Sequence, residues 1–360
     1  MRVAQVVTAT DLQPPGPSPS VPWWVERAAP AAAGWAVVYG ALVLSWGLGN
    51  DWGRPFGDAD LPTALLGGLA ALCAAAAVAA LMTVRVRPGA VRPGLAGTML
   101  WVFAGVLVTV APGTLTLDLA SVFTGHFDAI DWPPFLVKLF AVLGGVLFAG
   151  AAVSYRRRLH GACGYCGRFG GSSGERRRWE KAAGYAAVVV PTLGYALPHV
   201  LWAIGVPFGV TTKGAAEFSA PETAPALWGL ALLAVAAAVL TLGLVMSWGE
   251  TVPRWIPLVG GRTVPRLLAV IPPLVVAAAI TPYGVLGTVA MTAHVTGIHE
   301  LSAERMGEME PLGFYITYLT FAAWGATLCA AAVMYHYRTR GACAHCDGHA
   351  GLPTTASPSR

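Results

Sequence analysis

The sequence predicts an all-α polytopic membrane protein of about eight transmembrane helices in two parallel four-helix repeats. Three observations carry that prediction: charge is scarce, apolar runs reach spanning length, and landmarks of the first half recur in the second. Of 360 residues, 56% are hydrophobic and 11% charged, whereas soluble domains carry about 25% charged residues. A chain confines its charge to short connecting stretches when each apolar run must cross a hydrocarbon layer about 30 Å thick.

Eight such runs can be read, at 31–49, 62–84, 95–115, 134–154, 184–206, 224–248, 266–290 and 312–335. They lack the alternating ten-residue pattern of an outer-membrane barrel, so helices are expected. Residues 1–30 hold Pro14, Pro15, Pro17 and Pro19 with Ser18 and Ser20, and no charged region leads into a short apolar core. They read as a disordered cytoplasmic tail and not as a signal peptide. The first repeat with its cysteine-bearing end covers 31–167, a basic cytoplasmic connector 168–183, the second repeat 184–348 and a second loose tail 349–360.

Cytoplasmic loops retain Lys and Arg, while acids carry little orienting weight. With the amino terminus inside, nineteen of the 23 basic residues are internal, and only Arg54, Lys138, Lys213 and Arg305 lie outside. Acids collect outside, among them Asp51, Asp118, Asp128, Asp131, Glu217, Glu300 and Glu308. Both termini are therefore expected in the cytoplasm. Lys138, three residues past Phe135, is expected to snorkel to the outer interface. The net charge of +5 sits beside membrane segments, where an anionic lipid or a cytoplasmic partner could meet it. No basic stripe interleaved with aromatics points to nucleic acid.

The repeat is visible in distinctive residues. Ser154-Tyr155-Arg156-Arg157-Arg158 leads to Gly161-Ala162-Cys163-Gly164-Tyr165-Cys166, and Tyr335-His336-Tyr337-Arg338-Thr339-Arg340 leads to Gly341-Ala342-Cys343-Ala344-His345-Cys346, an offset of 180. Glu26-Arg27-Ala28-Ala29 matches Glu180-Lys181-Ala182-Ala183. Tyr39, Trp46 and Gly49 match Tyr195, Trp202 and Gly205 at an offset of 156, and Pro55-Phe56-Gly57 pairs with Pro207-Phe208-Gly209 after a four-residue gap. An even number of spans returns the chain to its starting side, so the halves should be parallel repeats about an axis along the membrane normal.

Cys163, Cys166, Cys343 and Cys346 are the sharpest chemical signal. A Cys-x-x-Cys turn sets two thiolates on one loop at a separation suited to a tetrahedral metal, and two turns supply the four sulfurs of a structural zinc site. In the reducing cytoplasm a permanent disulfide is disfavoured. If the equivalent helix ends lie near the axis, the pairs converge. Two alternatives stay open: separate sites completed by His160, His345 or His349, and redox-active dithiols. Cys73 and Cys329 lie within spans and read as small buried hydrophobes.

Other candidates are fewer. Tyr195, His199 and Trp202 share a span broken by Pro191 and Pro198, and Pro272, Pro273 and Pro282 break another; irregular backbone at membrane depth must be covered by protein or line a cavity. A binding cavity is expected between these helices. His126, Asp128, His299 and Glu300 form a weaker outer set. Trp46, Trp132, Trp202, Trp248 and Trp255 read as interfacial anchors. Gly170-Gly171-Ser172-Ser173-Gly174 lacks a following Lys and reads as a flexible connector. No dinucleotide loop, phosphate loop or Ser-nucleophile elbow is present, so the balance leans away from an enzyme.

Tyr39-Gly40-Ala41-Leu42, Trp46-Gly47-Leu48-Gly49 and the basic tracts before each cysteine pair resemble uncharacterised multi-span membrane proteins of high-GC actinobacteria. That resemblance implies a plasma-membrane location and brings no activity. Three function classes follow: solute transport or handling with a zinc-clamped cytoplasmic side, a structural or regulatory membrane protein, and a membrane thiol-redox protein.

Overall fold

Helices dominate because nearly every backbone polar group must be satisfied within its own segment when the surroundings are apolar. A computed structural model describes residues 22–55, 62–85, 93–109, 111–160, 162–167, 173–302, 306–340 and 343. Among these, the long helices are α1 (Trp23–Gly47), α2 (Thr63–Arg85), α3 (Pro93–Thr109), α5 (Trp132–Leu159), α6 (Ser173–Pro191), α9 (Ala224–Leu242), α10 (Arg266–Val295) and α11 (Pro311–Thr339). Shorter helices are α4 (Leu115–Thr124), α7 (Leu197–Ala203) and α8 (Thr212–Phe218). A π-helical turn, Thr192–Ala196, joins α6 to α7. α1 begins at Trp23, inside the expected tail, and α6 at Ser173, inside the expected connector; the Gly-rich stretch before Ser173 lies outside the described residues.

Among the described residues seven helices are long and apolar enough to cross a membrane, α6 and α7 counting as one. The expected third span, 95–115, is the exception. α3 stops at Thr109 after 17 residues, about 25 Å at 1.5 Å per residue. Pro112 has no N–H to continue the ladder, and Gly113 adopts a positive φ of 46°. The chain restarts as α4, which packs on α5 and α10 and is pinned by Thr116 Oγ1 donating to the Ala279 carbonyl at 2.5 Å.

α1, α2, α3 and α5 close a ring of neighbours around an Ala-rich core containing Trp35, Tyr39, Trp46 and Phe148. α6 packs on α9 and α11, and α11 on α10, around Trp324, Leu328 and Tyr335. α10 touches α3 and α4, joining the two groups. Small residues let backbones approach: a Cβ on Gly284 of α10 would stand 2.3 Å from the Ala322 amide nitrogen of α11. Away from these contacts the helices carry exposed Leu and Val, with Leu232, Leu233 and Leu240 of α9 about 70% exposed. Such apolar surface on every long helix far exceeds what soluble monomers show and fits a lipid-facing belt.

Several side-chain roles differ from expectation. Trp46 and Trp202 are buried, not interfacial; their indole N–H groups donate to the Trp52 carbonyl at 2.9 Å and the Phe208 carbonyl at 2.8 Å. The same bond thus recurs 156 residues apart. Gly53 and Gly209 follow at that offset with φ of 70° and 68°, each against the start of a later helix, at Pro133 and Gly313. Trp52-Gly53 and Phe208-Gly209 thus form turns of like geometry; Phe56 and Gly57 lie outside the described residues. Trp132 and Trp255 are exposed, as anchors should be. Cys73 is buried, whereas Cys329 faces outward.

Lys138 does not snorkel. It is 5% exposed, and its ammonium bonds Asp118 Oδ2 at 2.6 Å and Thr114 Oγ1 at 2.8 Å. Lys138 is six residues into α5, about 9 Å along the axis, and α4 folds back to bring its carboxylate there.

At the same end of the bundle, Glu308 clasps α8. Its backbone carbonyl accepts from the Thr211 amide at 2.9 Å, and its carboxylate accepts from Thr211 Oγ1 at 2.5 Å and Lys213 Nζ at 2.7 Å. The Lys213 and Thr211 bonds hold the Glu308 carboxyl below its ordinary value, and the Glu308 bond raises Lys213. A lowered folded pKa gives stability that is present above the ordinary value of 4.5 and lost as pH falls through the folded value. Acid should therefore loosen this clasp, and Glu308→Gln should remove that pH dependence. Hydrogen exchange at the Ala215 amide, measured between pH 3 and 6, checks it; an unchanged profile in the variant would refute the clasp.

Candidate metal centre

The centre is built at the opposite end of the bundle, where α5 and α11 finish. Arg156, Arg157 and Arg158 occupy the last turn of α5, where cations complement the carbonyl end of the helix dipole. Beyond α5 the chain wraps tightly: the Ala162 amide donates to the Arg157 carbonyl at 2.9 Å and the Gly167 amide to the Cys163 carbonyl at 2.8 Å. Arg157 then turns outward and donates to the Gly164 carbonyl at 2.8 Å, while its guanidinium lies 4.9 Å over the Trp24 ring. A side chain at Gly167, whose φ is 63°, would strike that guanidinium at 2.7 Å. One arginine therefore holds the Cys163–Cys166 turn from inside and ties it to the start of α1.

The end of α11 is fixed by a different set. Arg338 pairs with Glu180 of α6 and with Glu250 at 3.1 Å, and donates to the Leu244 carbonyl at 3.0 Å. Tyr335 donates to the Gly249 carbonyl at 2.7 Å. On α5 the comparable lock is Ser154, which donates to the Val25 carbonyl at 2.9 Å. Both helix ends are thus bolted to the first helix of their group, α5 to α1 and α11 to α6, which limits where Cys163 and Cys343 can go.

They go together. The Cys163 and Cys343 sulfurs are 4.0 Å apart, and the sulfurs of Cys163, Cys166 and Cys343 all lie within 4.8 Å of one another. These three cysteines are close enough to hold a metal ion. A tetrahedral site with Zn–S bonds of about 2.3 Å has sulfur–sulfur edges of about 3.8 Å, so the cluster needs at most about 1 Å of closure along any edge. A disulfide needs about 2.05 Å, which Cys163 and Cys343 would have to approach by about 2 Å.

Cys346, His345 and His349 lie outside the described residues. His160 forms the cap of α5. In the weaker outer set His126, Asp128, His299 and Glu300 are exposed, and among the described residues the group of three or more ligands close enough to hold a metal is that of the cysteines. His199 is buried with its Nδ1 2.8 Å from the Tyr195 carbonyl, between the rings of Tyr195 and Trp202 at 4.1 and 4.9 Å. That carbonyl belongs to the π turn ahead of Pro198, so the histidine covers backbone polarity that the broken ladder releases. Sequence reasoning passed over a different place: Lys138, paired with Asp118, and Thr114 line a cavity at the far end of the bundle, with Tyr283 and Tyr318. The available signals were a lysine inside an apolar run and the Pro112-Gly113 pair. No family model, curated protein or solved structure matches this chain, so the reading of the site rests on its own residues and their geometry.

Proposed function

We propose that this chain is a plasma-membrane protein that handles a solute between two parallel four-helix repeats, whose cytoplasmic ends are clamped by one structural zinc ion on Cys163, Cys166, Cys343 and Cys346. The observation that carries the clamp is the meeting of Cys163, which follows α5, with Cys343, which follows α11, at 4.0 Å. Cys346 is the natural fourth ligand because it completes the second Cys-x-x-Cys turn. Recurrence of the tryptophan bond at Trp46 and Trp202 supports the duplication. The basic residues crowding the cysteine end support a cytoplasmic placement for it, and they suit contact with anionic lipid headgroups.

Zinc here is structural. With four sulfurs the coordination shell is closed, leaving no position for water or substrate. The solute-handling part rests on the division into two helix groups with a cavity between them, the arrangement in which many transporters bind their cargo. A structural or regulatory role without transport is the second reading, favoured by the basic surface at the cysteine end.

Purified protein should contain about one zinc per chain, with X-ray absorption reporting four sulfurs at about 2.3 Å. In intact cells a cysteine introduced at Ser302 should react with an impermeant maleimide, and one at Ser173 should react only after permeabilisation. Reversed labelling would place the thiols in an oxidising compartment and overturn the zinc clamp along with the topology.

A further inference from the structure

The break between α3 and α4 opens onto a cavity of about 700 Å³, within the range of small-molecule sites. Gly113 and Thr114 of the break form part of its wall, which explains how non-helical backbone is tolerated beside membrane-spanning helices. The first helix group contributes Arg54 and Lys138, and the second contributes Tyr283, Leu286, Phe314 and Tyr318. A molecule bound there touches both halves.

The wall has a definite charge. Lys138 reaches it with a side chain only 6% exposed. Two of the three ammonium N–H groups are committed to Asp118 and Thr114, leaving the third for an occupant. Asp118 stands behind Lys138 and is not part of the wall. Arg54 donates to the Trp46 carbonyl at 2.9 Å and pairs with the exposed Asp51 at 3.2 Å, which leaves most of its five donors unspent. The acid on the wall, Asp131, is exposed at the start of α5. A cationic occupant would therefore face two cations, whereas an anion would meet both.

The rest of the lining is apolar and aromatic. Tyr283 and Tyr318 meet edge-on at 5.4 Å, and Phe314 stacks on Tyr318 at 5.7 Å. An ionisable residue inside a membrane segment is expensive and marks function by default; here it is supported by a dedicated carboxylate on a helix that folds back to supply it.

We propose that this cavity binds a small organic monoanion with an apolar body, a carboxylate whose head meets Lys138 and Arg54 and whose body lies against Tyr283, Leu286, Phe314 and Tyr318. The proposal names the solute class for the solute-handling reading above and is independent of zinc. A soluble carboxylate and a fatty acid share this chemistry.

The test uses full-length protein in lipid nanodiscs, titrated calorimetrically with benzoate and hexanoate, with benzamide as the neutral counterpart and phenethylammonium as the cationic one. Saturable binding of either carboxylate, at least tenfold tighter than benzamide or phenethylammonium, is expected. Arg54→Gln and the paired replacement Lys138→Met/Asp118→Leu, which removes the cation without stranding its partner, should each weaken binding tenfold or more. Oleate delivered from vesicles binding more tightly than hexanoate assigns the body to a lipid chain; the reverse assigns it to a soluble solute. Equal binding of benzamide, preference for the cation, retention of binding in both variants or no binding of any carboxylate overturns the site. Zinc content and benzoate uptake into proteoliposomes are measured on the same preparations. Binding without uptake refutes transport and leaves the site standing; no carboxylate binding by the unsubstituted protein while it retains zinc refutes the site and leaves the clamp.

Discussion

Replacing Cys163 and Cys166 together by Ser should take the zinc content from about one per chain to less than a tenth, and Cys343→Ser alone should do nearly the same. Serine hydroxyls are not thiolates at neutral pH and bind zinc poorly, and the loss of two of four ligands leaves an open, weak site. The stability cost follows from where the ligands lie. Cys163 and Cys343 are 180 positions apart, so the ion closes a loop that would be worth roughly 5 kcal/mol as a crosslink in a random chain. Helices already inserted in the membrane restrain the unfolded ensemble and reduce that term, so a loss of about 2–4 kcal/mol is expected. Thermal unfolding with and without a chelator measures it. Variants as stable as the parent, or a parent unaffected by chelation, would exclude a structural metal. If the thiols are instead redox partners, the parent should show a reductant-sensitive link between its two halves after limited proteolysis, and no metal.

The second large effect concerns Lys138. Lys138→Met would leave the Asp118 carboxylate, whose side chain is 18% exposed, without its ionic partner in a largely apolar setting. Breaking a buried pair from one side costs about 3–5 kcal/mol, because the remaining charge has lost its solvation and gained nothing. Residual exposure of Asp118 should put the cost near the lower end. Asp118→Leu alone should be similarly harmful, since it strands the ammonium with only Thr114 as acceptor. The paired replacement should recover most of the loss, because the interior then holds neither charge. A double-mutant cycle read by reversible unfolding in detergent separates the pair from its surroundings. Strictly additive single effects would mean that the two groups do not act as a unit.

Several features were legible in the residues alone, and each is local. Apolar runs of about twenty residues announce spans because a segment's transfer into hydrocarbon is set chiefly by its own side chains. Seven spanning helices match that reading. The run at 95–115 also looked continuous by hydropathy, which does not register that Pro112 and Gly113 would end α3 and let α4 fold back. The two Cys-x-x-Cys turns were legible for the same local reason: both ligands of each pair sit on one short loop.

Partners distant in sequence were not legible. Nothing near Lys138 in the chain reveals that Asp118, twenty residues earlier, will return to its side, so a lysine near a helix start reads as snorkelling. Trp46 and Trp202 sit near span ends and read as interfacial anchors until the carbonyls of Trp52 and Phe208 are seen capturing their indoles. His199 and Tyr195 suggested a cavity from Pro191 and Pro198, both of which are buried; the cavity that adjoins Lys138 lies where α3 breaks.

Membrane character, the placing of seven of the long apolar segments and the suitability of each cysteine pair as metal ligands thus follow from the residue string, since each depends on the solvation or bonding of groups within one short segment. The meeting of Cys163 with Cys343, the Lys138–Asp118 pair and the cavity between the helix groups arise from packing. They depend on which helix faces are complementary and on small residues such as Gly284 that let one backbone reach another, and those energies are shared between segments that the string holds far apart.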